Sequence, residues 1–216
     1  MRLLSLAPVV LLACSGDVPE QVATPDAGEI APPDDANQAL AAAGCADGER
    51  EGLLAPPDIA ACAGGFDVPG LRTTITPSCD RAAGDDGANP AGAGCSVADL
   101  CAEGWHVCVG GAEVAARSPG GCAESDPSTT SFFAVRQSGP GGASCGDGAN
   151  DVFGCGSVGV AVTDASCAPL DRFSNDLCAA LPAPWTCGPD GTAEADQVVK
   201  PGSDAGGVMC CRDGPL

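Results

Sequence analysis

The sequence contains few large apolar side chains and almost no aromatic ones. Leu, Ile, Val and Phe together number 39 of 216 residues, Trp occurs twice, and Tyr is absent. With a formal net charge of −20, this composition is normally typical of intrinsic disorder, because little apolar surface is available to offset chain entropy. The 15 cysteines predict a folded chain instead, since each disulfide stabilises by roughly 2–4 kcal/mol through restriction of the unfolded ensemble.

Basic residues are equally scarce, and this excludes one class of partner. The chain has 9 Lys and Arg against 29 Asp and Glu, and Lys200 is its single lysine. A surface of this sign has no patch that could neutralise phosphates, so we expect no nucleic-acid binding. It would also be repelled by anionic lipid unless the chain carried a covalent anchor.

The N-terminal residues predict such an anchor. Residues 1–14 read MRLLSLAPVVLLAC, in which one Arg precedes an apolar run too short to cross a bilayer as a helix. This pattern is typical of a signal peptide over residues 1–13. The residues Leu11 to Cys14 resemble the bacterial lipobox, which implies diacylglyceryl transfer to the Cys14 sulfur, cleavage after Ala13, and an acyl chain such as palmitate on the new amine. The implied protein is an exported lipoprotein of the cell envelope, held in the outer membrane by its lipid.

The cysteine count agrees with this interpretation. Removing Cys14 leaves an even number, fourteen, which fits seven disulfides in an exported chain. Zinc binding is the alternative, but the sequence has no CxxC pair and one His, so we expect no metal and no other cofactor. The cysteines expected in disulfides are Cys45, Cys62, Cys79, Cys95, Cys101, Cys108, Cys122, Cys145, Cys155, Cys167, Cys178, Cys187, Cys210 and Cys211.

The domain organisation follows from composition. Residues 14–44 hold four prolines, six acidic residues and no basic one, which predicts a disordered, extended tether that could turn helical over residues 37–43. The remainder is cysteine-dense, with an N-terminal subdomain at 45–94 and a domain at 95–216. Helices are expected at 97–101 after the N-cap Ser96, Ala112–Ser118 and Phe173–Leu181, and strands at Phe132–Gln137, Ser157–Thr163 and Val208–Arg212. The predicted fold class is α+β, small, loop-rich and held together by disulfides.

The last two cysteines are adjacent. A strand directs neighbouring side chains to opposite faces, so Cys210 and Cys211 should bond to different partners.

One internal motif points to a family. Residues 101–108 read CAEGWHVC, followed by Ala112-Glu113-Val114, and the chain ends in VMCCRD at 208–213. The two segments resemble the CPxGWHxP…EW opening and the VRCVRD end of the Fibrobacter succinogenes major paralogous domain, a bacterial surface module related to the C-type-lectin-like fold. The resemblance implies that first and last strands lie side by side and that Cys101 pairs with Cys210, leaving Cys211 to a cysteine on the other face. The chain as a whole also resembles cysteine-rich lipoproteins of myxobacteria.

Side chains that could carry chemistry are few. His106 is the single histidine, and without a GxSxG turn, a second His or HExxH we interpret it as structural and expect no catalytic residue. Trp105 and Trp185 are interpreted as core anchors rather than sugar-stacking surfaces. The acidic loops at 85–89 and 147–151 offer oxygen ligands that calcium prefers, but they lack EF-hand spacing and fit solvated turns.

The expected function is therefore that of a non-enzymatic, membrane-anchored binding module for a polysaccharide or an envelope protein. The alternative is a structural or protective envelope lipoprotein without a specific ligand.

Overall fold

The fold is built on one mixed sheet. The computed structural model describes residues 38–39, 41–53, 55–72, 76–125, 130–136 and 150–215. Within these ranges the elements in chain order are β1 (Ile59–Ala63), the 3-10 helix η1 (Val97–Leu100), β2 (Trp105–Val107), the helix α1 (Gly110–Arg117), η2 (Gly121–Glu124), β3 (Phe132–Ala134), β4 (Val152–Gly156), β5 (Val160–Ala161), η3 (Ala165–Cys167), β6 (Arg172–Ser174), the short helix α2 (Glu194–Gln197) and β7 (Gly206–Arg212). Residues 38–39 and 41–43 are helical as well.

Strand β7 pairs with three other strands of the sheet. The strand order is β1-β7-β3-β4-β6-β5, and β2 pairs with β7 as well. Along one edge of β7, β1 runs antiparallel to residues 207–211. Two strands share the other edge: β3 is parallel to residues 206–208, and β2 is antiparallel to residues 210–212. The segment 45–94 thus contributes β1 to the same sheet as the segment 95–216.

Glycine in β7 permits this crowding. A Cβ at Gly207 would lie 2.2 Å from the backbone oxygen of Cys62 in β1, closer than any side chain tolerates. At the preceding position, Gly206 has φ +88°, which L side chains rarely adopt. The two glycines therefore allow β7 to begin in close contact with both neighbouring strands.

Both faces of the sheet are buried. In β1, Ala60 and Cys62 belong to one apolar cluster, whereas Ile59, Ala61 and Ala63 belong to a second. The same alternation separates Val208 and Cys210 from Met209 and Cys211 in β7. Neighbouring side chains of a strand point to opposite faces of the sheet. When both faces are buried, the strand's sequence is a continuous run of small and apolar residues, without alternation of apolar and polar ones. This is why the sequence IAACA of β1 gave no strand signal.

Six disulfides join the described residues. They are Cys45–Cys62, Cys79–Cys95, Cys101–Cys210, Cys108–Cys211, Cys122–Cys155 and Cys178–Cys187. Cys167 is disulfide-bonded as well. The expected pairing of Cys101 with Cys210 is present, and Cys211 bonds to Cys108, as the alternation of side chains along a strand predicts. Cys14 and Cys145 lie outside the described residues.

The first predicted helix is confirmed in shortened form. Ser96 is the N-cap of η1, which spans only four residues, and the carboxylate of Asp99 bonds back to the Ser96 backbone N–H at 2.8 Å. The buried Asp99 side chain also accepts hydrogen bonds from the backbone N–H groups of Ser78, Cys79 and Arg81. Although burial raises the pKa of Asp99, these N–H groups hold it below its usual value. One carboxylate thus joins the turn around Cys79 to η1.

The predicted helix at Phe173–Leu181 is wrong. Residues 172–174 form β6, and Asp176, Leu177 and Cys178 follow with φ of 50°, 63° and 64°. Left-handed residues in sequence end any right-handed helix. The Leu177 backbone N–H donates to the buried Glu194 carboxylate, a contact with a residue distant in sequence that stabilises this turn.

The remaining predicted elements exist with different bounds. The helix at Ala112–Ser118 corresponds to α1, and the strand at Val208–Arg212 is the greater part of β7. The strands at Phe132–Gln137 and Ser157–Thr163 shrink to β3 and the two-residue β5. The molecule is therefore a small disulfide-rich domain, as predicted, but β-rich, with a mixed sheet and few helices.

None of the helices in the described part of the chain combines the length and hydropathy that a transmembrane segment requires.

Candidate functional site

An open acidic cleft lies at the end of the sheet where β1 stops and β7 begins. Its volume is about 670 Å³, within the range of small-ligand sites, roughly 300–1,000 Å³. Ala63 and Gly206, the terminal residues of these two strands, line it. The carboxylates in its wall are Glu51, Asp85 and Asp204, and the hydroxyl side chains are Thr130, Ser131 and Ser203. Pro182 and Ala183 add apolar surface, whereas Phe133 borders the cleft as a buried core residue.

Glu51 is the most perturbed acid of the cleft. Its Oε2 accepts a hydrogen bond from the backbone N–H of Ala63 at 2.6 Å, which fixes it against the end of β1. Burial, with smaller contributions from the charges of Asp85 and Asp47, raises the pKa of Glu51 to about 8. At neutral pH this carboxyl is therefore largely protonated, and it can donate a hydrogen bond into the cleft.

A group of three carboxylates borders the cleft. One oxygen each of Asp47, Glu51 and Asp85 lies within 4.8 Å of the others, and burial raises the pKa of Asp47. Oxygen ligands of this kind suit a hard cation such as Ca²⁺. Asp85 belongs to the acidic loop that the sequence interprets as a turn, and Asn89 of that loop has a turn role, since its amide bonds to the backbone N–H and oxygen of Ala93. Asp147 of the second acidic loop lies outside the described residues.

The single lysine is buried behind the cleft. The Nζ of Lys200 donates to the backbone oxygens of Gly64 at 2.9 Å and Gly202 at 2.6 Å, and it lies 5.9 Å from the Trp185 ring centroid. Burial lowers the pKa of Lys200 to about 7, although the charges of Asp85 and Asp204 act in the opposite direction. Its donors are engaged by the backbone, so Lys200 supports the loop that carries Asp204.

The two tryptophans are core residues, as predicted. Trp105 and Trp185 are 3 % and 4 % exposed, so neither offers a stacking surface for a sugar. The Trp185 ring meets Phe66 and Phe132 edge to face, and its Nε1 donates to the Ala205 backbone oxygen at 2.9 Å. Because Ala205 lines the cleft, Trp185 holds one wall of the cleft in place.

His106 lies at the opposite end of β7, where it pairs with Cys211. Its Nδ1 is 2.6 Å from Asp213 Oδ1, and its Nε2 is 3.0 Å from Glu113 Oε1. The hydrogen bond to Glu113 raises the pKa of His106, burial opposes this, and Asp213 adds to it. The arrangement joins β2 to α1 and to the C-terminal residues, which agrees with the structural interpretation of His106.

Glu113 is the second member of this network. Burial alone would raise its pKa, but bonds from His106, from the backbone N–H of Val109 and from Arg117 lower it to about 2. The signal for this pairing was present in the sequence as the GWH…E spacing.

The cleft itself was missed. Glu51 and Asp204 carry no motif, and they lie far apart in the sequence on loops that only the β1–β7 pairing brings together. Of the acids that line the cleft, the sequence singled out Asp85.

No protein-family model matches the chain, and no solved structure matches it.

Proposed function

We propose that the protein is an exported, membrane-anchored binding module whose acidic cleft takes a polysaccharide or a segment of an envelope protein. The observation that carries the proposal is the cleft of about 670 Å³, which combines carboxylates, hydroxyls and apolar surface. The cleft is framed by β1 and β7, which disulfides attach to other parts of the chain through Cys62 and Cys210. A preformed site on a cross-linked scaffold binds without the ordering cost of a mobile loop.

Binding rather than catalysis is favoured by the placement of His106. It is the side chain best suited to acid–base chemistry near neutral pH, and its strand partner Cys211 lies five residues along β7 from Gly206 at the cleft, roughly 17 Å at about 3.3 Å per residue. Its ring nitrogens are engaged by two carboxylates that hold it in place.

The proposed anchor is the lipid on Cys14, with residues 15–44 as its tether. Support comes from the point where the described tether residues meet the domain. The Trp105 Nε1 donates to the Ala41 backbone oxygen at 2.6 Å, and Arg50 donates to that of Ala42 at 3.0 Å. Trp105 pairs with Arg212 at the far end of β7 from Gly206. A domain held there presents its cleft away from the attachment point.

The lipid anchor has a direct test. Cys14→Ser should accumulate the unprocessed precursor and remove the protein from the membrane fraction. A wild-type mature protein that is soluble without detergent would contradict the anchor.

We propose further that the module is a distant variant of the C-type-lectin-like surface domain of bacteria. The support is the Cys101–Cys210 disulfide and the β2–β7 pairing, which place the first and last elements of the resembling segment side by side.

Binding in the cleft is tested on the oxidised mature protein in detergent, by a glycan array together with a pull-down from an envelope extract. Thr130→Trp would fill the cleft from an exposed position in its wall, and Thr163→Trp places the same side chain at an exposed position outside it. We expect a ligand that the wild type and Thr163→Trp retain and that Thr130→Trp loses. Absence of specific binding in both assays would overturn the proposal and favour the structural or protective alternative.

A further inference from the structure

We propose that the group bound in the cleft is a cationic side chain with an apolar stem, the Lys or Arg of a basic segment in an envelope protein. This inference rests on the proposed function and names the ligand class of the same site.

The charge of the cleft favours a cation. The carboxylates of Asp85 and Asp204 line it beside the largely protonated Glu51, and no Lys, Arg or His is among the lining residues in the described part of the chain. The buried Lys200 behind the wall has its donors directed to Gly64 and Gly202. A cation entering the cleft therefore meets carboxylates without a competing side chain at their surface.

Two polar atoms in the wall lack a partner among the described residues. Ser131 is 2 % exposed and its Oγ forms no hydrogen bond there, and Asp85 Oδ1 is buried without one. An unsatisfied buried polar atom destabilises the free protein, and a ligand that supplies its partner recovers that loss. Because a carboxylate oxygen can only accept hydrogen bonds, a ligand atom that pairs with Asp85 must be a hydrogen-bond donor. Ammonium and guanidinium groups supply donors without acceptors.

The apolar part of the cleft distinguishes a basic side chain from a metal ion or an amino sugar. Pro182 and Ala183 offer apolar surface beside the carboxylates. Lys and Arg bury their methylene stems against such surface while the charged head reaches polar groups. A bare cation makes no use of these residues, and the amine of an amino sugar is attached to a polar ring.

The test is a calorimetric titration of the mature protein in detergent with an acetylated and amidated triarginine peptide. The matched control peptide replaces each arginine with citrulline, which keeps the shape and removes the charge. The variant Asp85→Asn/Asp204→Asn removes two cleft charges, and Glu103→Gln/Asp80→Asn removes two exposed charges outside the cleft. Asp204→Asn alone, at an exposed position, serves if Asp85→Asn prevents folding.

We expect the wild type to bind triarginine at least about tenfold tighter than tricitrulline, with the cleft variant losing that preference and the control variant keeping it. Equal binding of the two peptides, an equal loss in both variants, or binding that needs added calcium would overturn the inference. If Thr130→Trp still abolishes binding of a neutral ligand, the cleft remains a binding site and only the cationic ligand is wrong. If no probe binds in the cleft, both proposals fall.

Discussion

Cys210 and Cys211 are adjacent in β7, yet their disulfides lie on opposite faces of the sheet. Cys210 bonds to Cys101 in one apolar cluster and Cys211 bonds to Cys108 in the other. One dipeptide thus cross-links β7 to both buried layers. With so few large side chains available, these bonds take a role that side-chain packing performs in most domains.

The long Cys101–Cys210 bridge should stabilise more than a short one. It spans 109 residues, whereas Cys178–Cys187 spans 9. Because Cys108–Cys211 closes nearly the same loop over 103 residues, the comparison is made in a Cys108→Ala/Cys211→Ala background. From loop-closure entropy we expect Cys101→Ala/Cys210→Ala to lower the unfolding free energy of that background by about 4–5 kcal/mol and Cys178→Ala/Cys187→Ala to lower it by about 2–3 kcal/mol. Urea denaturation of both double variants in that background measures the difference. Equal losses would show that local strain or packing, not chain entropy, sets these contributions.

Gly207→Ala should disrupt the sheet. Its new Cβ would meet the Cys62 backbone oxygen at 2.2 Å, so β1 and β7 must separate, at a cost of about 1–3 kcal/mol or more. Gly120→Ala is the control, because a Cβ there has nothing within 4 Å and its φ is −82°. Thermal unfolding of both variants is the measurement. An unchanged midpoint for Gly207→Ala would contradict the register in which β1 pairs with β7.

Glu113 should stabilise the domain at neutral pH and stop doing so in acid. Because its folded pKa is about 2 against an ordinary value of 4.5, its contribution is full above about pH 4.5 and is lost as the pH falls through 2. We expect Glu113→Gln to lower the unfolding free energy by about 2 kcal/mol at pH 7 and by little at pH 2. Glu103→Gln should have no effect at either pH. A penalty for Glu113→Gln that is the same at both values would rule out this ionic role.

Glu51 should affect the unfolding free energy in the opposite direction from Glu113, lowering it as the pH rises. Its folded pKa of about 8 lies above the ordinary 4.5, so the folded state binds more protons and loses stability as the pH rises from about 4.5 to 8. We expect Glu51→Gln to be little different from the wild type at pH 5 and more stable than it at pH 9. Lys200 titrates in both proteins, so the comparison isolates Glu51. A variant that is less stable than the wild type at pH 9 would be the contrary result.

Sequence reasoning succeeded where covalent and local rules dominate. The density of cysteine predicted a disulfide framework, and the alternation of side chains in a strand predicted separate partners for Cys210 and Cys211. Ser96 and Asp99 marked the start of η1 because a capping residue is a local signal. These features depend on short stretches of chain or on chemistry that the residue type alone carries.

Sequence reasoning failed where distant contacts decide the conformation. The turn that replaces the helix predicted at Phe173–Leu181 depends on Glu194, which lies 17 residues beyond Leu177, and no local pattern records that contact. Strand β1 is made of small residues whose only strong β-former is Ile59. The cleft is formed by loops that meet only after β1 and β7 have paired, so its acids could not be grouped beforehand.

The central claim is that the cleft at the start of β7 is where this module binds a cationic side chain. The most direct measurement is a titration of the ¹⁵N-labelled mature protein in detergent micelles with the triarginine peptide, followed by amide chemical shifts. We expect the largest shifts at Ser131, Ala205 and Gly206, with the amides of His106 and Asp213 at the other end of β7 unchanged. Shifts centred on His106, or none at all, would contradict the account.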